Sequence, residues 1–207
     1  MAHIPDGVLS APVLVVGAAV SLAGCVYGLR RLEAERIPQV AVLSAVLFVA
    51  ALVHFPVGPA SVHLILNGLT GIVLGWAAFP AILVALLLQA VLFGFGGLIV
   101  LGVNVANMAL PAVLCGALFF AVARSGRRRT IAAGLAGGLG VVLTAMLVAL
   151  TLALSGREFV AAAKLVVFAH IPVAVIEVVF SAAVIGLLLR VKPELLSLPC
   201  AGEHANE

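Results

Sequence analysis

From Thr130 to Leu154 the chain reads TIAAGLAGGLGVVLTAMLVALTLAL, a stretch without one Asp, Glu, Lys, Arg or His. As a helix rising 1.5 Å per residue it would reach about 37 Å, more than the roughly 30 Å of hydrocarbon in a bilayer. A barrel wall needs apolar and polar residues to alternate with a period of two, and this stretch is apolar throughout, so a helix is the spanning solution. The same texture extends in both directions. Of 207 residues, 65% are hydrophobic and 9% charged, where a water-soluble domain carries about 25% charged residues. The composition therefore predicts an all-α, polytopic membrane protein and excludes a soluble enzyme core.

Breaking the chain at charges, Pro and Gly predicts helices near 8–29, 38–53, 62–76, 79–95, 103–123, 130–154 and 165–190, a bundle of about seven transmembrane helices. Residues 1–192 form the membrane domain in this reading, and 193–207 a short polar tail. Seven crossings put Arg30, Arg31, Arg36, Arg124, Arg127, Arg128, Arg129, Arg190 and Lys192 on one side, and Arg157 and Lys164 on the other. The positive-inside rule then predicts an external N-terminus and a cytoplasmic C-terminus. The formal charge of +3 reports loop orientation on this account and implies no nucleic-acid partner. Met1 to Gly7 lacks the basic start of a secretory signal peptide, so the first apolar stretch is expected to be a mature helix. Cys25, Cys115 and Cys200 have no metal-ligand or disulfide spacing and read as packing residues or tail.

With that orientation His3, His54, His63 and His170 all fall toward the outer surface, although they are scattered along the chain; only His204 is internal. Singly, each is expected to be a hydrogen-bonded interfacial histidine more often than a ligand. As a group they point to function, because ionisable groups at membrane depth are costly. The opening Met1-Ala2-His3-Ile4-Pro5-Asp6-Gly7 adds a chemical reason. A free amine followed closely by a histidine can wrap a metal in fused rings of amine, deprotonated amide and imidazole nitrogen. Such in-plane nitrogen sets suit Ni(II) and Cu(II).

Met1 to Ser10 resembles the opening of the substrate-capture subunits of energy-coupling-factor cobalt and nickel transporters, the CbiM/NikM family. Further similar stretches are Phe55-Pro56-Val57, Ser61-Val62-His63-Leu64, Gln89, Phe93-Gly94-Phe95-Gly96-Gly97, Leu101 to Ala109 and the end of the last helix, Leu188 to Leu196. The resemblance implies a seven-helix, non-enzymatic subunit of an ATP-driven importer in the inner membrane of a prokaryote. It implies a transported Co(II) or Ni(II) with no permanently bound cofactor. The ion would be held by the N-terminal amine, the first backbone amide, and His3 and His63. The implied partners are a transmembrane coupling subunit, two ATPase subunits and, in some versions, a small accessory membrane subunit; no phosphate-cradling loop occurs in this chain itself.

The sequence departs from the family pattern at several points. Ala2 stands between Met1 and His3, His54 replaces an expected Asn, Asn67 a small residue and Phe95 an Asp. If Met1 is removed, Ala2 supplies amine and amide and His63 completes the plane. If Met1 stays, Met1-Ala2-His3 can fill the plane alone and His63 becomes axial or unnecessary. His54 is a candidate further ligand, partner to a ligand, or loop anchor. Asp6 is expected to accept backbone hydrogen bonds and Ser61 to cap the third helix. Glu177, Gln89, Asn104 and Asn107 are expected to bridge helices. The pairs Gly17/Ser21, Ala19/Ala23 and Gly134/Gly138 serve either packing within the bundle or docking of a partner. Two rival readings are a haem-binding membrane subunit with His54 and His170 as axial ligands, and a small-solute permease.

Overall fold

The computed structural model describes residues 4–57, 60–122 and 127–196, without the side chains of 54–57, 60–62 and 127. Among these residues the order is α1 (Ala11–Arg30), α2 (Ile37–Ala50), a hairpin of β1 (His54–Val57) and β2 (Ala60–His63), α3 (Asn67–Leu74), α4 (Ala78–Phe93), α5 (Leu101–Val122), α6 (Arg127–Ser155) and α7 (Val160–Val191). By length and composition five stretches could cross a membrane: 11–30, 67–93, 101–122, 128–155 and 157–191, the second being α3 and α4 taken together.

The short elements depart from seven uniform crossings. With 14 residues, α2 reaches only about 21 Å, and α3, with eight, about 12 Å. The third helix was expected from 62; residues 60–63 instead pair with 54–57, and the helix begins only at Asn67. Ser61 lies in β2, and so caps no helix.

Every residue of α3 is buried, and glycines explain how closely its neighbours approach. A side chain at Gly71 would strike the Ala112 carbonyl of α5, and one at Gly116 would strike the Gly71 carbonyl. Asn67 reaches the Met108 carbonyl with its amide, so α3 runs beside α5 in the same sense, 67 level with 108 and 71 with 112. At Gly75 (φ 55°, ψ −126°) the chain adopts a conformation open to glycine and reverses. The returning α4 brings Gln89 level with Met108, where both border one void.

The ends of the bundle can be read from contacts. Arg36 donates to the Val73 carbonyl and Gln39 to the Leu195 carbonyl, and Thr130 faces Gly186. The basic residues near 30–36, 127–129 and 190–192 therefore gather at one end. At the other, the Ser10 N–H donates to the Ser155 hydroxyl and that of Val100 to Asp6. Residues Pro193–Leu196 fold as a 3-10 turn with Leu196 buried; the remainder of the expected tail lies outside the described residues.

Outward faces are apolar, with Val15, Val16, Leu22, Val91, Phe168, Val175 and Val179 all exposed. This is the pattern of a lipid-facing surface, where apolar side chains cost nothing to leave outside. Gly17 packs on Val103, and the Ser21 hydroxyl donates to the Gly102 carbonyl; Gly134 and Gly138 pack on Val178 of α7. These pairs thus pack within the bundle, whereas Ala19 and Ala23 face outward.

Candidate metal centre

The N-terminal segment is drawn into the bundle by two polar anchors. Asn104 of α5 accepts the Ile4 N–H at 3.1 Å and donates to the Ile4 carbonyl at 3.1 Å. That two-pronged bond satisfies the whole backbone polar complement of a residue only 3% exposed. Asp6 accepts the Val100 N–H at 3.0 Å, and its carboxylate occupies the space beside Gly97 where any larger residue would collide. Asp6 so accepts a backbone bond, as its position predicts. Asn104 was expected to bridge helices and grips the chain start instead. Around them Ile4, Leu9, Val100, Val103, Val148, Leu152 and Ala163 form a small apolar cluster separate from the main core.

The second component comes from the hairpin. His63, its last residue, is 2% exposed and directly opposite His54 in the strand register. The His63 Nδ1 lies 2.9 Å from the Leu64 carbonyl. A carbonyl can only accept, so Nδ1 carries the hydrogen and the lone pair of the neutral ring resides on Nε2, the form needed in a metal ligand. His63 borders a small void shared with Ala85, Gln89 and Met108.

Between His63 and α3 the chain takes a sharp course. Leu66 has a left-handed backbone (φ 54°), which a branched side chain rarely adopts. The adjacent Ile65 and Leu66 N–H groups both donate to Glu177 Oε1, each at 2.6 Å. Glu177 was expected to bond from helix to helix; its partners are the backbone of this turn. The bridging expected of Asn107 is found, its amide donating to Thr151 of α6 at 3.3 Å.

The two components meet on α5. Asn104 and Met108 are four residues apart and share a helical face, separated by about 6 Å along the axis. Asn104, which holds the residue after His3, is thus one turn of α5 from Met108, which borders the void beside His63. Met1, Ala2 and His3 lie outside the described residues, as does the side chain of His54. Among the described residues no three His, Cys, Asp or Glu side chains converge.

The model of the family described as "Cobalt uptake substrate-specific transmembrane region", CbiM, matches residues 3–195. The chain belongs to that family. A CbiM relative from Haemophilus influenzae, named putative metal transport protein, is 44% identical over 199 residues, which cover 94% of this chain and 97% of the relative. The fused nickel transport protein NikMN of Rhodobacter capsulatus is 33% identical over 221 residues, 94% of this chain and 64% of that protein. A crystal structure of a truncated transition metal transporter superposes with a TM-score of 0.73 at 25% identity, covering 91% of this chain and 98% of the other. A CbiM-family chain is a component of metal transport in the membrane, and the relatives quoted are named as transport proteins.

His170, an alternative haem ligand in the sequence reading, has its Nδ1 2.7 Å from the Val166 carbonyl one turn back on α7. Sequence reasoning passed over the turn at Leu64–Leu66; its only signal was the isolated carboxylate at Glu177, far away in the chain.

Proposed function

We propose that this protein is the substrate-capture subunit of an ATP-driven importer, taking Co(II) or Ni(II) at its outer face. In this reading the ion is held by the N-terminal amine and a deprotonated backbone amide, from Ala2 or from Met1 according to whether the initiator is removed, together with His3 and His63. His54, opposite His63 in the hairpin, is a candidate further ligand. The observation that carries the reading is that Asn104, which grips Ile4, stands one turn of α5 from Met108, which shares a void with His63. The relatives quoted above are named for transport of metal or nickel, which favours a metal cargo over the haem and permease readings.

The end bearing the clustered Arg and Lys residues is the cytoplasmic one by the positive-inside rule. The N-terminus is then external and the C-terminus, with the 193–207 tail, internal, in the inner membrane of a prokaryote. On this topology the third crossing is half irregular chain, the hairpin and Leu64–Leu66, and half helix α3. Energy comes from a coupling subunit and two ATPase subunits, joined in some versions by a small accessory membrane subunit. Cysteines placed at Glu158 and Lys192 test the orientation: the first should react with an impermeant reagent from outside, and the second only after permeabilisation. The reverse pattern would refute it.

The ligand set is tested by metal content after purification. Wild-type protein should retain about one Ni(II) or Co(II) per chain, while His3→Ala and His63→Ala should fall towards background without loss of protein in the membrane. Full occupancy in both variants would rule the site out.

A further inference from the structure

We propose that Glu177 is the positioning residue of the capture site, acting on His63 through a single peptide group. The proposal rests on the assignment of His63 as a ligand. The bond between Leu64 and Ile65 is one rigid planar unit. Its N–H, on Ile65, donates to Glu177 Oε1 at 2.6 Å, and its carbonyl, on Leu64, accepts from His63 Nδ1 at 2.9 Å. Carboxylate, peptide and imidazole therefore form one continuous chain of hydrogen bonds. Metal-binding histidines commonly donate their second ring N–H to a carboxylate or carbonyl, which fixes the tautomer and orients the ring. Here the carboxylate lies one peptide further out.

Three features argue that the arrangement is specific to the site. Glu177 is fully buried in a helix otherwise apolar at this depth, where an ionisable group is costly and usually functional. The same oxygen also accepts the Leu66 N–H at 2.6 Å, and so holds the one left-handed non-glycine residue among those described. Ile65 and Leu66, 1% and 2% exposed, have no water to satisfy their N–H groups. The turn that delivers His63 is thus defined by an acceptor borrowed from α7, more than one hundred residues away in the chain. A hydrogen bond in such a chain polarises the next, so the acceptor also strengthens the hold of the Leu64 carbonyl on the imidazole.

The experiment compares Ni(II) affinity and the d–d absorption of the bound ion in full-length protein carrying Glu177→Gln, Glu177→Asp or Glu177→Leu, beside His63→Ala. Gln retains an oxygen at the same reach and should keep most of the affinity. Asp, one methylene short, and Leu, without an acceptor, should lose about 10- to 100-fold, with spectra shifted towards that of His63→Ala. If Leu prevents folding, the contrast between Gln and Asp decides. Wild-type affinity in the Asp variant, equal loss in Gln and Asp, or weakened binding with an unchanged spectrum would each overturn the proposal. Should His63→Ala itself match wild type in affinity and spectrum, the ligand assignment fails instead, whatever the Glu177 variants do.

Discussion

Asn104 shows how one side chain can anchor a segment remote in sequence, here Ile4. Termini ordinarily fray, yet the amide of Asn104 meets both polar groups of Ile4 and fixes the chain at that residue. Replacing Asn104 by Ala removes two hydrogen bonds worth about 0.5–1.5 kcal/mol each and leaves the buried Ile4 N–H and carbonyl without partners. The expected result is a protein that still inserts but binds Ni(II) about 10- to 100-fold more weakly, measured by competition with a chelating dye. Unchanged affinity would show that His3 is positioned by other contacts. The role of Asn104 is hardly visible in the sequence. An Asn in an apolar helix announces a hydrogen bond, but its partner lies one hundred positions away and is backbone, which carries no residue-specific signal. Asp6 is more legible because an Asp just before Gly marks a turn whose carboxylate seeks N–H groups.

Among the elements, α3 is both the shortest helix and the most enclosed. Its contact with α5 is carbonyl against glycine, at Gly71 with Ala112 and at Gly116 with Gly71, so the two backbones are nearly in touch. Gly71→Ala and Gly116→Ala each force the helices apart and should destabilise the fold by about 1–3 kcal/mol, seen as a lower midpoint of thermal unfolding in detergent. Gly94→Ala, at a φ of 66° but with open space around it, should cost only the backbone strain, about 1 kcal/mol. Equal midpoints for Gly71→Ala and wild type would contradict the close contact. The long helices were legible because an uncharged run needs no partner to declare itself. The start of α3 was not: residues 62–66 are as apolar as those that follow. They leave the helix because β2 pairs with β1 and because Glu177 takes the Ile65 and Leu66 N–H groups, and both causes are distant in sequence.

At the scale of the whole molecule, the proposed capture of the ion by the free amine would make the chain start part of the site. One residue added ahead of the native N-terminus moves the amine out of chelating reach. Ni(II) binding should then be lost while expression and thermal midpoint are retained. Binding to the unmodified protein should also weaken steadily from neutral to mildly acidic pH. Amine and amide must release protons to the solvent when the metal binds, so added protons favour the empty form. Equilibrium dialysis across that range checks the point, and a flat profile would exclude an amidate ligand. The sequence alone determined that this chain is a helical membrane protein, and its basic residues grouped the helix ends, because hydrophobic length and charge are local properties read one segment at a time. Its opening residues and scattered motifs also pointed to the CbiM family. Only the tertiary structure decided that Asn104 would hold Ile4, that α3 would be an eight-residue helix beginning at Asn67, and that Glu177 would reach the turn beside His63. Each of these depends on backbone groups meeting side chains from remote segments, and hydrogen-bond partners inside a bundle are chosen by proximity after packing.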